Sequence, residues 1–203
     1  MWVLKSFLRF AVGSILCLLI LGRLGAINSL PVEFQGLAAR ANSVLPTSKL
    51  PGPGFLIGFG GAVLAGALGG VLIMTRLKTA KPLTLGDIEP IMPRNRAETA
   101  YTTLLALNAG FSEELFFRLL LPLLLTLVLR NAIAAFVIAA MILGLVHIYQ
   151  GIAGVLATTV LGALLTGIYL WSGSLWIAMG AHTSIDLLGL VVRPTFMRLL
   201  TKR

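Results

Sequence analysis

Glu113, Glu114 and Arg118 stand close together in the stretch Ser112-Glu113-Glu114-Leu115-Phe116-Phe117-Arg118, and uncharged residues follow at once from Leu119 to Leu129. His147 closes a later apolar run, and His182 and Asp186 lie inside another. A charge at bilayer depth costs about 2.5–3.5 kcal/mol, so such groups pair and face the protein interior. On a helix, Glu114 and Arg118 are four residues apart with the acid first, the better order for an ion pair. Glu113 lies about 100° further round, so one carboxylate can pair while the other points elsewhere. Glu114, held by Arg118, is expected to stay charged and structural. Glu113, less well paired, is expected to be pushed towards neutrality by burial. His182 and Asp186 share one helix face by the same four-residue spacing.

Carboxylates and imidazoles at one place suit the activation of water. They are the usual ligands of catalytic zinc, which needs three protein ligands and one open position. Without a metal, a carboxylate takes a proton from water while His182 or Asp186 helps to stabilise the oxyanion. The same groups also suit a proton relay in a transporter. Each residue has a plainer role as well. Ser112 could cap a helix starting at the membrane surface, with the acids favoured by its dipole. His147 could be an interfacial polar cap. His182 and Asp186 could bond only to neighbouring helices.

The elements that must position these residues are apolar runs. Of 203 residues 58% are hydrophobic and 11% charged, and the mean hydropathy is +0.97. Soluble domains carry about 25% charged residues, so this is an integral membrane protein. The net charge of +9 comes from basic residues flanking apolar runs, a topology signal rather than a nucleic-acid surface. The single cysteine, Cys17, excludes an intrachain disulfide. An all-α, polytopic bundle of about six transmembrane helices is expected, as one domain over residues 1–203. The spans are placed at about 5–24, Phe55–Met74, 111–129, Asn131–Ile148, Ile152–Trp171 and Leu175–Val192. The first is read as a retained span, although its basic start and Leu24-Gly25-Ala26 also fit a signal peptide. Residues 25–53, rich in proline, read as an external loop. Within Glu98–Leu129, Gly110 and Pro122 are the expected weak points, with 98–109 as a tilted lead-in. Gly54, Gly58, Ala62, Gly66 and Gly70 form a packing stripe on the second span. With both termini in the cytoplasm, eleven Lys and Arg fall inside and four outside, which the positive-inside rule favours.

Glu113-Glu114-Leu115-Phe116-Phe117-Arg118, then His147 at the end of an apolar span, then His182-Thr183-Ser184-Ile185-Asp186, resembles the CPBP intramembrane proteases. That family includes type II CAAX prenyl endopeptidases and bacteriocin-processing and immunity proteins. Its motifs are Glu-Glu-x-x-x-Arg, Phe-x-x-x-His and His-x-x-x-Asn or Asp. Leu143 stands where the second motif has Phe, and Leu119 stands where Gly is common after the motif arginine. The resemblance covers residues 98–192, leaving two spans and their loops in 1–97. It implies peptide-bond hydrolysis within the membrane at a site open to the cytoplasm, on a membrane-embedded or lipid-anchored substrate. By position Glu113 would activate water, His147 would assist it or bind a metal, and His182 and Asp186 would bind the metal or stabilise the oxyanion. Glu114 would complete the catalytic group. The metal set would be Glu113, His147 and His182, around a divalent ion such as zinc, and a metal-free glutamate mechanism is equally well served. The implied location is the plasma membrane of a prokaryote, with no nucleic-acid partner. A proton- or ion-coupled transporter and a non-catalytic immunity or partner-binding protein are the competing readings.

Overall fold

The computed structural model describes residues 2–44, 87–195 and 198. The expected second span, Phe55–Met74, and the basic loop up to residue 86 lie outside the described residues. Within them every regular element is helical, as the composition requires of a membrane bundle.

The first rod runs through α1 (Trp2–Ser6), a π turn (Phe7–Val12) and α2 (Gly13–Ile20). Val3–Ile20 is long and apolar enough to cross a membrane. It buries Ala11, Ser14 and Leu18, spaced three and four apart on one stripe, and Phe10 packs against Phe116 with ring centroids 5.1 Å apart. The segment after it corrects the external-loop expectation. Residues Val32–Val44 form a helix, α3, whose Phe34 and Ala38 are buried. Pro31 precedes it, where a proline's fixed φ suits a helix start. Phe34 inserts between Phe136, at 4.8 Å, and Tyr169, at 6.3 Å. Pro31 opens this helix and does not keep residues 32–44 irregular.

The central rod is α4 (Arg96–Glu114), a π turn (Leu115–Leu120) and α5 (Leu121–Leu129). No break occurs at Gly110 or Pro122, contrary to expectation. Asn95 starts the rod as a reciprocal cap. Its side-chain oxygen accepts from the Glu98 amide at 2.9 Å, and its amide nitrogen donates to Glu98 at 2.6 Å, satisfying an orphan donor of the first turn. Ser112 is therefore no cap. It is buried in mid-helix and donates to the Asn108 carbonyl at 2.7 Å. The wide π turn just before Pro122 accommodates the missing N–H and the ring clash that a proline brings. The rod ends at Arg130, whose φ of 52° is left-handed, and Asn131 caps the next helix by accepting from the Ala134 amide at 3.1 Å.

α6 (Ala132–Val146) ends at His147, and a short 3-10 turn (Ile148–Gln150) leads into α7 (Gly151–Ser172). α8 (Leu175–Asp186) continues into a third π turn (Leu187–Val192). Ile148–Ser172 and Leu175–Thr195 also have span length and apolarity, matching the expected fifth and sixth spans. α6, at 15 residues, reaches about 22 Å and is the shorter fourth. Ile152, Leu156, Val160 and Leu164 are exposed in a row of four-residue steps along α7. A continuous apolar stripe turned outwards is what lipid, and not water, accepts.

Two glycines set the inter-helix distances near the polar residues. A Cβ on Gly110 of α4 would stand 2.8 Å from the backbone nitrogen of Thr183 on α8, and one on Gly144 of α6 would stand 3.0 Å from the Val155 carbonyl on α7. Backbones in near contact are how membrane helices gain packing energy without a hydrophobic driving force between them.

Candidate active site

Glu114 lies at the end of α4, fully buried, and Arg118 one turn on is also buried. The Arg118 Nε sits 3.1 Å from Glu114 Oε2, the ion pair that the spacing predicts. The pairing is one of charge, since the N–H and lone pair are not aligned as a hydrogen bond, and Nη1 and Nη2 have no acceptor among the described residues. The other oxygen of Glu114, Oε1, meets His182 Nδ1 at 2.7 Å. A carboxylate only accepts, so that ring nitrogen carries the proton. His182 Nε2 in turn lies 3.5 Å from Asp186 Oδ2. Arg118, Glu114, His182 and Asp186 thus form one linear chain across α4 and α8. The same-face placement of His182 and Asp186 is as expected. The Glu114–His182 contact is not legible from the sequence, because it joins residues 68 positions apart on helices whose register Gly110 and Thr183 fix.

Glu113 is not a member of that chain of contacts, although it lies beside His182 and Asp186. It makes no hydrogen bond or ion pair among the described residues, and it lines a cavity of about 290 Å³. His147, His182 and Asp186 line the same cavity, as do Arg118, Tyr149 and Gln150, among apolar walls that include Leu105, Leu143, Leu161 and Leu165. Each of the six polar residues singled out by sequence is therefore at the cavity or, for Glu114, immediately behind it. His147 has its Nδ1 2.9 Å from the Leu143 carbonyl oxygen, which can only accept. The proton is on Nδ1, and Nε2 remains a lone-pair base. Leu143, the departure from the expected Phe, is buried and packs where a Cβ on Gly162 would come within 3.0 Å of it, so it fills the apolar role.

Among the described residues no three His, Cys, Asp or Glu side chains are gathered closely enough to hold a metal ion. The reason lies in the bonding: His182 has one ring nitrogen on Glu114 and the other facing Asp186. As arranged, Glu113, His147 and His182 do not fit a three-ligand metal centre. Besides Thr158, Tyr149 and Gln150 are the polar residues of the cavity that sequence reading passed over. Tyr149 has the composition signal of an interface anchor and Gln150 of a turn. Their immediate succession to His147 is the signal that would have found them.

Residues 95–188 match the family model described as type II CAAX prenyl endopeptidase Rce1-like. No curated protein and no solved structure matches the chain. The matched segment opens at Asn95, the cap of α4, and closes at Leu188, just past Asp186, so it contains every residue of the Arg118–Glu114–His182–Asp186 chain together with Glu113 and His147. The match supports a type II CAAX prenyl endopeptidase Rce1-like domain over that segment, consistent with the CPBP family that its three motifs resemble.

Proposed function

We propose that the protein is an intramembrane endopeptidase that hydrolyses a peptide bond of a membrane-embedded or lipid-anchored substrate, with Glu113 activating the water. The observation that carries this is the convergence of Glu113, His147, His182 and Asp186, from three helix ends, on one cavity. The family match supports the reaction class. Glu113 is the free carboxylate there, and the His147 Nε2 lone pair is the free base.

The steps follow from those assignments. Water sits between Glu113 and His147. Glu113 takes a proton from it as the oxygen bonds to the scissile carbonyl carbon, and the C=O electron pair moves onto the carbonyl oxygen. The proton on Glu113 then passes to the leaving nitrogen as the C–N bond breaks, giving a carboxyl and an amine product. His147 orients the water and holds positive charge if the proton visits it. Glu114 keeps His182 in one tautomer and position, and Arg118 pairs with Glu114 at 3.1 Å. The steps are written without a metal: His182 spends Nδ1 on Glu114 and turns Nε2 towards Asp186 at 3.5 Å.

Purified protein should cleave a membrane-tethered reporter peptide and continue to do so in a chelator. Glu113→Gln or His147→Ala should lower the rate by about 10²–10⁴-fold, the usual worth of a positioned acid–base group. Undiminished cleavage by both variants would remove the site proposed here. Loss on chelation, restored by zinc, would replace the metal-free route.

A further inference from the structure

Residues 87–93 lie just ahead of the matched segment 95–188 and cross the end of the cavity nearest the start of α4. They form a strap tied at both ends. The Asp87 amide donates to the Gln150 carbonyl at 2.9 Å, which fastens one end to the turn after His147. The Thr102 hydroxyl donates to the Ile91 carbonyl at 3.4 Å, which fastens the other to the first turns of α4. A 3-10 turn (Glu89–Ile91) lies between the ties, closed by the Ile91 amide on the Ile88 carbonyl at 3.1 Å. Pro90 within it and Pro93 just beyond it fix the backbone further.

Ile88 and Ile91 both line the cavity, and both are only partly buried. They hold apolar surface open that an apolar ligand group would cover. That surface continues inwards. Leu105 and Ala109 of α4 line the same cavity and lead to Glu113, by four-residue steps along one helix face. Thr102, where Ile91 is tied, stands eleven residues before Glu113, about 16 Å along a helix. An extended peptide covers about 3.3–3.6 Å per residue, so about four or five residues reach from the strap to Glu113.

We propose that the strap is a substrate subsite. Ile88 and Ile91 take an apolar side chain of the bound peptide about four or five residues from the scissile bond, on the side that leads out past the start of α4. The occupant is the substrate peptide, because the apolar surface of the strap is continuous with the cavity that holds Glu113. The inference rests on the endopeptidase reading and adds to it a specificity determinant outside the matched segment.

A series of membrane-tethered reporters tests this. Each carries a single leucine in a serine–glycine background, placed at successive distances from a fixed cut site that mass spectrometry maps. The parent's kcat/KM should peak with leucine at the fourth or fifth residue on that side, about tenfold or more above the rest, the worth of one such apolar contact. Ile88→Ser and Ile91→Ser should flatten the peak, the loss falling on KM, because a remote contact is made alike before and during the reaction. Ile91→Phe, which narrows the subsite and keeps it apolar, should move the preference at that position from leucine to alanine, a change that misfolding does not give. A parent that cleaves every reporter alike, a peak elsewhere, or a peak that survives both serine variants overturns the inference and leaves the protease standing. So does a uniform rise in rate for every reporter in the serine variants, which would make the strap a cover. A parent that cleaves no reporter overturns both.

Discussion

Glu114 is the residue on which the polar interior depends, although it never touches the cavity. It is fully buried between a guanidinium at 3.1 Å and an imidazole at 2.7 Å. Burial of one charge is tolerable here because the opposite charge is adjacent, and Arg118 has no other acceptor among the described residues. Removing one partner of such a pair is costly, since the survivor's charge remains buried and unmatched; about 3–5 kcal/mol is typical. Glu114→Gln should therefore lower stability by roughly that amount, read as an unfolding midpoint in detergent. Replacing both charges, Glu114→Gln with Arg118→Leu, should recover much of the stability, because no uncompensated ion is left. It should recover little of the cleavage, because a neutral amide can turn either its oxygen or its nitrogen towards His182 and no longer fixes the tautomer. A Glu114→Gln protein as stable as the parent would show that the pair contributes nothing net. At this scale the sequence is legible where partners are four apart: Glu114–Arg118 and His182–Asp186 follow from helical spacing alone. The Glu114–His182 bond is not, because nothing local encodes which face of α4 meets which face of α8.

Two helices, α4 and α8, carry the polar chain, and Gly110 determines how close they come. From the sequence Gly110 reads as a weak point in an over-long helix. In the structure the helix continues through it, because the missing side chain admits Thr183: a Cβ would fall 2.0 Å from its Oγ1 and 2.8 Å from its backbone nitrogen. The hydroxyl can rotate away; the backbone cannot. Local propensity ranks glycine as a helix breaker, whereas its value here is set by a partner helix, which propensity does not see. Pro122 is misread for a similar reason, since the π turn at Leu115–Leu120 absorbs it. Among the described residues, the existence and order of the spans were readable because apolar length is a property of the chain itself. The helix α3 was not, because Phe34 declares its role only against Phe136 and Tyr169. Gly110→Ala should cost about 1–3 kcal/mol by overpacking. It should also reduce cleavage well beyond that loss of folded protein, since misplacement by 1 Å can cost about 100-fold in rate. Gly180→Ala on the same α8 has nothing within 4 Å and should be neutral or stabilise by up to about 1 kcal/mol through helix propensity. Equal behaviour of the two variants in midpoint and rate would deny the close approach its role.

Across the whole molecule, hydrogen bonds sort the described ends of the helices into two levels. Asp87 donates its amide to the Gln150 carbonyl, Arg198 reaches Thr99 at 3.1 Å, and Asn108 reaches Ser6 at 2.8 Å, so the start of the chain, the start of α4, the end of α6 and the chain beyond α8 lie on one side. Trp176 donates to Asn28 at 3.0 Å and Arg23 pairs with Glu33, which gathers the 20–44 segment and the start of α8 on the other. The cavity, bordered by His147, Tyr149, Gln150 and Ile88, belongs to the first level. That level carries Lys5, Arg9, Arg94, Arg96, Arg193 and Arg198 against Arg23, Arg40 and Arg130 on the second. An excess of Lys and Arg is expected on the cytoplasmic side, so the cavity is predicted to admit substrate from the cytosol, with Trp2 and Arg198 on that side. The only native cysteine, Cys17, is replaced by serine for the test. A single cysteine at Ser29, exposed on the second level, should react with a membrane-impermeant maleimide in intact cells. One at Ala97, exposed at the start of α4, should react only after the membrane is opened. The reverse labelling would turn the bundle over and place the cavity, and any hydrolysis in it, on the outer face.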